Sequence, residues 1–314
     1  MLLRIRRRLN GFLENSDLIC AAVVGVFLAK TSLNVFKGEA KGSWGYGEFW
    51  INYSGGYIRR GLSGEILIFL REIGLTNSYL LVVGVLTIVV WLNFILLSLY
   101  LRLVISSVYI RVFLQLNATL FLFLIHNPNA YIRKDHFIVL GLLLHALISF
   151  KVQTFVFSPV TYLKFVRILV LSLILFGQFH EIQALFIPVH LYLYLKTTQE
   201  VKEKKELSKL PTLGMLAVMI TTLITSGIFH GTRFQVDRII DSIPKVERVE
   251  LGAIEALGWT SGQAIDLSFR MFRSEGTLLC FGLILIIGPM LISYLTGSLD
   301  RGQKFILKIA VMSP

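Results

Sequence analysis

The chain contains several apolar runs that approach or exceed the ~18 residues a helix needs to cross a bilayer, and this constrains its fold more than any other feature. Backbone groups in lipid have no water to bond, so such runs must satisfy themselves internally as helices. Of the 314 residues, 55% are hydrophobic and only 16% charged, against about 25% charged in a soluble domain. The expected fold is all-α: a polytopic transmembrane helix bundle forming a single integral membrane domain over residues 1–314. Eight spans are expected, at about 17–36, 79–101, 105–126, 137–151, 164–179, 181–196, 211–230 and 276–297.

Charge sets the expected orientation. Arg4, Arg6, Arg7 and Arg8 precede an apolar run from Leu18 to Phe36 that shows no small-residue cleavage pattern, so it reads as a retained first helix. Basic residues favour the cytoplasmic side, which puts both termini there. Alternating spans then place Arg102, Arg111, Lys151, Lys164 and a basic linker at about 196–210 on the same side. The net charge of +12 is thereby a matter of topology and anionic lipid, and no nucleic acid partner is expected. The expected location is the cytoplasmic (inner) membrane.

One stretch decides whether this rule holds. A single helix over Val166 to Leu195 would export the lysines of the linker. A break near Phe176-Gly-Gln-Phe-His-Glu181 keeps them inside, and its glycine and three polar groups supply a reason for it. The extracytoplasmic loops are then about 37–78, 127–136 and 230–276, with a corner at His180–Glu181.

Those outer segments hold the unusual chemistry. The first reads Gly45-Tyr-Gly-Glu-Phe-Trp-Ile-Asn-Tyr-Ser-Gly-Gly-Tyr-Ile-Arg-Arg-Gly-Leu-Ser-Gly-Glu65. Arg59 and Arg60 can fork onto a phosphate, Glu48 can serve as a general base, and Trp50, Tyr53 and Tyr57 suit sugar faces. Interfacial anchoring by the same aromatics and arginines is the plain alternative. The second segment, Asn127-Pro-Asn-Ala-Tyr-Ile-Arg-Lys-Asp-His136, offers Arg133 and Lys134 for phosphate, Asp135 as a base and His136 as a proton carrier; its alternative is a solvated, self-neutralising turn. His180 and Glu181 form either a substrate-binding pair or a simple helix end. His145 and His190, alone on apolar helices, read as interhelical packing or hydrogen-bonding residues.

Beyond about residue 230, apolar residues at Phe234, Val236, Ile239, Ile240 and Ile243 recur at helical spacing up to Pro244, as in an amphipathic helix lying on the interface. This element reads as a structural lid. Cys20 and Cys280 lie in apolar runs without metal-ligand spacing, so they suggest no metal site, and the sequence leaves any cofactor unknown. The nucleotide-binding and hydrolase fingerprints are absent from the sequence.

The stretch Asn52-Tyr-Ser-Gly-Gly-Tyr-Ile-Arg-Arg-Gly-Leu-Ser-Gly-Glu65, followed by Arg133-Lys134-Asp135 and His180-Glu181, resembles a family of poorly characterised bacterial membrane proteins of surface-polysaccharide synthesis. The layout is also similar to the C-type glycosyltransferase superfamily, many-helix enzymes that use polyprenyl-phosphate-linked sugars and carry an acidic residue in the first outer loop. In that superfamily an aspartate or an acidic pair commonly follows the first helix; here the acids are Glu39 and Glu48. The resemblance implies a membrane glycosyltransferase or polysaccharide polymerase, with membrane lipid, a polyprenyl-phosphate-linked sugar and an acceptor glycan as partners. Glu48 or Asp135 would be catalytic, and Asn52, Tyr53, Arg59, Arg60, Arg133, Lys134, His180 and Glu181 would bind substrate. A flippase for lipid-linked sugars, or a non-catalytic subunit of a polysaccharide assembly system, could use the same cations. In the enzyme reading, three or more of Arg59, Arg60, Arg133, Asp135, His180 and Glu181 should line one outward cavity.

Overall fold

A computed structural model describes residues 15–105, 107–115, 127–154, 156–200, 209–229, 231–247, 249–259, 262–263 and 266. Among them all regular structure is helical. Five helices are long and apolar enough to cross a membrane: α1 (Ser16–Phe36), α4 (Ser78–Val104), α7 (Asp135–Gln153), α8 (Pro159–Phe179) and α10 (Leu210–Ile228). Their lipid-facing sides expose large apolar residues, Val26, Ile88, Ile168, Leu171 and Leu213 among them, as a multi-pass membrane protein requires. α9 (Gln183–Glu200) fills the expected sixth run and contains Pro188. α5 (Val108–Gln115) starts the expected third. The rest of that run and the whole of 276–297 lie outside the described residues.

Side-chain contacts fix which helix ends meet. Asp17, at the start of α1, is reached by Arg102 near the end of α4 (3.3 Å) and by Arg111 on α5 (2.9 Å). At the opposite end Tyr79, at the start of α4, bonds the Val35 carbonyl near the end of α1. α7 and α8 run antiparallel, since His180 lies beside Asp135 at one end and Tyr162 beside Ser149 at the other. α8 and α9 form a hairpin, with the Tyr162 and Tyr194 rings stacked at 6.0 Å. One end of the bundle therefore collects residues 37–77, 127–134, 180–182 and the described residues of 231–259. The other collects the helix ends bearing Arg102, Arg111, Lys151 and Lys209.

The break between α8 and α9 lies where the charge rule puts it, but glycine does not make it. Gly177 is buried inside α8, where a Cβ would press on the Thr222 hydroxyl of α10. The helix stops instead at His180, whose backbone is extended (φ −160°, ψ 113°). That turn aims His180 and Glu181 into the protein.

The end that gathers residues 37–77, expected to be the outer one, is more folded than a set of loops. Residues 37–77 contain α2 (Trp44–Phe49) and α3 (Leu62–Glu72). Ser43 caps α2 by accepting the Tyr46 amide. The segment 127–134, expected as part of a short outer loop over 127–136, instead dips into the bundle through α6 (Pro128–Tyr131). Tyr131 is fully buried and bonds Ser32 of α1 (2.7 Å) and Thr87 of α4 (3.2 Å). Asn93, fifteen residues into α4, donates to the His136 carbonyl (2.8 Å), so α7 begins about 20 Å down α4 by helical rise. Asp135 and His136 are thus first-turn helix residues, not loop residues. Non-helical backbone at such depth is tolerated only where protein surrounds it, and here Ile132 and Tyr131 bring the apolar cover with them. Gly45 is required where α2 meets this segment: a Cβ would collide with the Ile132 carbonyl.

Residues 231–259 lie over α2. They include the expected amphipathic helix, α11 (Arg233–Ser242), with a Thr232–Gln235 capping box, and a short α12 (Gly252–Glu255). Val236, Ile239, Ile254 and Leu257 pack with Trp50, Ile51 and Ile58. Glu247 fastens this cover by accepting from Tyr46 (2.8 Å) and Arg71 (2.9 Å).

Candidate functional site

Four segments far apart in sequence deliver charged groups to one place. α2 supplies Glu48, the turn before α3 supplies Arg59 and Arg60, the start of α7 supplies Arg133, Lys134 and Asp135, and the α8–α9 corner supplies His180 and Glu181. Arg60 forks onto Glu181 through Nε and Nη2, both at 2.6 Å, and reaches Glu48 at 3.4 Å. Arg59 contacts the same Glu181 at 3.3 Å. Arg133 pairs with Asp135 at 3.1 Å. His180 Nε2 stands 3.0 Å from Asp135, although neither ring nitrogen is aligned for a hydrogen bond. Arg60 has φ +66°, the only non-glycine in the left-handed region among the described residues. Such backbone strain persists only where the surroundings hold it, and the two-pronged bond to Glu181 does so.

The arrangement sorts the titrations. Burial would raise the Glu181 carboxyl, but His180 and Arg60 beside it hold it far below the usual carboxylate range. Burial would lower His180, but Asp135 and Glu181 raise it above its ordinary value. For Lys134 burial outweighs the help of Glu48, Glu181 and Asp135, which act on it only through space. Lys134 is 1% exposed, and its Nζ meets the Ser63 hydroxyl at 2.7 Å, the Phe179 carbonyl at 3.3 Å and the Phe49 ring at 5.3 Å. Burial pulls its ammonium down to about 7.

Beside the cluster, between the ends of α8 and α10, lies a small recess lined by Tyr57, Arg59, Gly177, Gln178, Glu181, Thr222, Thr225 and Ser226. Tyr57 bonds Gln178 and stacks on Tyr53 at 5.4 Å, with Phe229 edge-on at 4.7 Å. The neighbouring surface of Ile174, Leu175 and Phe229 is exposed and apolar. Of the six residues expected to line one cavity, only Arg59 and Glu181 do so. The six come together, but into a closed ion-pair network in which carboxylates take up the guanidinium forks, so the expectation that three or more line one outward cavity is not met.

Comparison with protein-family models, with curated proteins and with solved structures gives no match. The site therefore stands on its own geometry.

Not every expected residue joins the cluster. Asn52 is fully buried and bonds Ser242 (2.8 Å), the Trp50 carbonyl and the Ser54 amide, tying the first outer segment to the end of α11. Tyr53 lies beyond Tyr57, its amide held by Glu65 at 2.6 Å. Glu48 is buried, accepts from Trp44 (3.2 Å), and keeps Oε2 without a hydrogen-bond partner. Ser63, Gln178 and the hydroxyls of Thr222, Thr225 and Ser226 were not singled out by sequence. The run Thr221-Thr-Leu-Ile-Thr-Ser226 on an apolar helix was the available signal, since hydroxyls there mark helix contacts or polar sites.

Proposed function

We propose that this protein is a membrane glycosyltransferase, or a polysaccharide polymerase of similar mechanism, acting on lipid-linked sugars at the outer face of the cytoplasmic membrane. In this reading eight spans place both termini in the cytoplasm, and the ion-pair cluster faces the opposite side. The observation that carries the reading is the convergence of the cluster on a hydroxyl-lined recess whose rim is apolar. A polyprenyl-phosphate sugar needs those three features together: lipid-facing surface for the chain, a cation for the phosphate and hydroxyls or amides for the sugar.

Arg59 is the cation placed for the phosphate. It lines the recess, is partly exposed, and has a buried Nε without a hydrogen-bond partner, whereas Arg60 is committed to Glu181 and Glu48. As the glycosidic bond to phosphate breaks, negative charge grows on the leaving phosphate, and fixed cations stabilise it. Glu48, with one free carboxylate oxygen, or Asp135 takes the proton of the acceptor hydroxyl. The resemblance to C-type glycosyltransferases supports the same donor class.

The test is reconstitution of purified protein with polyprenyl-phosphate sugars and an acceptor glycan. New glycosidic product is expected, with Glu48→Gln or Asp135→Asn losing turnover while donor binding persists. Normal product from both variants would remove the carboxylate mechanism. Movement of lipid-linked sugar across the bilayer with no new bond would make the protein a flippase.

A further inference from the structure

Lys134 sits inside a charge balance that is complete without it. Arg59, Arg60 and Arg133 contact the carboxylates of Glu181, Glu48 and Asp135. Three guanidinium charges meet three carboxylate charges, and His180, raised above its ordinary value between Asp135 and Glu181, is the other titratable group among them, so no carboxylate is left for Lys134. Lys134 makes no ion pair with any described residue, and its Nζ contacts are a hydroxyl, a backbone carbonyl and an aromatic ring. Glu48, Arg60, Glu181 and Asp135 are near enough to act on it through space. A buried ammonium without a counter-ion is costly, and the usual escape is loss of its proton. Burial accordingly brings Lys134 down to about 7, poised at neutral pH.

The same amine lies behind the recess and does not line it. It bonds the carbonyl of Phe179, which follows Gln178 and precedes Glu181 by two positions, and both of those line the recess with Arg59. An anion bound there would upset the balance by one negative charge. We propose that Lys134 is a proton-uptake site: a phosphate-bearing lipid that occupies the recess brings a proton onto the Lys134 amine. Lipid phosphate and proton then bind together, and the new ammonium stands beside the phosphate that leaves. This role replaces the standing phosphate-binding cation expected of Lys134. It rests on the reading that a lipid-linked phosphate occupies the recess.

The size of the effect follows from electrostatics. A unit charge about 8 Å away, at an effective dielectric of about 20, raises an amine's proton affinity roughly thirtyfold. At pH 7.5 that shift corresponds to about two thirds of a proton taken up per ligand. Affinity should correspondingly fall by up to about thirtyfold between pH 6 and pH 10.

The experiment is calorimetric titration of the full-length protein in nanodiscs with a short-chain prenyl-phosphate sugar, repeated in buffers of different ionisation enthalpy. This phosphodiester has no titration of its own near neutrality. Wild type should take up the proton. Lys134→Arg should bind without uptake and without the loss of affinity at high pH. Lys134→Met should bind weakly at every pH. His180→Gln should retain uptake, separating the lysine from the other group able to titrate there. Lysine ε-carbon NMR of the wild type gives a measurement free of any substitution: one lysine should titrate near 7, and ligand should move it upward. Binding without proton uptake, uptake retained in Lys134→Arg, or a full set of lysines all titrating at ordinary values would each overturn the inference. Absence of binding by wild type at any pH would overturn the proposed function along with it.

Discussion

Two buried polar clusters sit on the same helices and are built on different principles. In mid-bundle, His145 of α7 bonds His190 of α9 (3.0 Å) and Tyr162 of α8 (3.0 Å), with Ser149 reaching the same tyrosine at 3.3 Å. All of its members are regular helix residues, and the imidazole rings stack at 5.3 Å. It joins three helices with neutral groups. At the outer end, eight ionisable groups arrive from turns and helix starts, one on a strained backbone, and a lysine is left without a counter-ion. Helix packing in a membrane needs only the first kind of cluster. Intramembrane ionisable groups of the second kind are expensive and mark function by default, so the contrast singles out the outer end.

Arg60→Ala gives the sharpest test of that contrast. It leaves Glu181 partly buried without its forked partner, and loss of one member of such a pair costs about 3 kcal/mol. Thermal unfolding of the purified protein should show a large drop, and Arg60→Ala/Glu181→Ala should recover part of it. Equal stability of Arg60→Ala and wild type would mean the outer cluster holds nothing together.

Lys134 predicts a rise of stability with pH. The unfolded amine keeps its proton up to about 10.4, whereas the folded one loses it at about 7. Between those values the unfolded state binds more protons, so stability increases with pH, by roughly 1.5 kcal/mol from pH 7 to 8.5. Subtracting the pH dependence of Lys134→Met should isolate this gain; identical profiles would show that the folded amine stays charged.

The neutral cluster should respond less and differently. His145→Leu leaves Tyr162 and His190 short of a partner and should cost about 1 kcal/mol, with substrate binding unchanged. Removing both rings in His145→Leu/His190→Leu should cost less than twice that, because no imidazole is then orphaned. A loss of binding in either variant would erase the distinction between the two regions. Smallest of all, Thr225→Val keeps the shape of the recess and removes one hydroxyl that otherwise bonds its own helix at the Thr222 carbonyl (3.1 Å). Unfolding should be unchanged while affinity for a lipid-linked sugar falls about fivefold, the value of one hydrogen bond. Unaltered affinity would move the sugar out of the recess.

Long elements were legible in the sequence because bilayer length and apolarity are local properties. Helices over Ser16–Phe36, Ser78–Val104 and Leu210–Ile228 follow closely from their hydropathy. The α8–α9 break was legible only through charge: as hydropathy, residues 166–195 read as one helix, and the lysines of the linker forbid it. The sunken segment 127–134 was not legible. Asn127-Pro-Asn looks like a surface turn, and nothing local announces that Tyr131 will find Ser32, ninety-nine positions away. Lys134 was named as a cation for phosphate, but its enclosure was not legible, since a lysine in a polar run reads the same whether solvated or enclosed. Its state depends on Phe49, Ser63 and Phe179, which only the assembled fold brings to it.

The tight corner at residues 180–182 also bears on how the protein is made. In the proposed eight-span topology, so short a connection obliges α8 and α9 to enter the bilayer as a single hairpin, with His180 and Glu181 carried across at its tip. A lone acidic side chain in mid-membrane costs about 2.5–3.5 kcal/mol on the insertion scale. Arg59 and Arg60 are synthesised some 120 positions earlier and belong to the destination side. They can therefore receive the carboxylate on arrival. In that topology the ion pair would act as a ratchet for biogenesis, and truncating the arginines should slow insertion of the hairpin before it affects any later step.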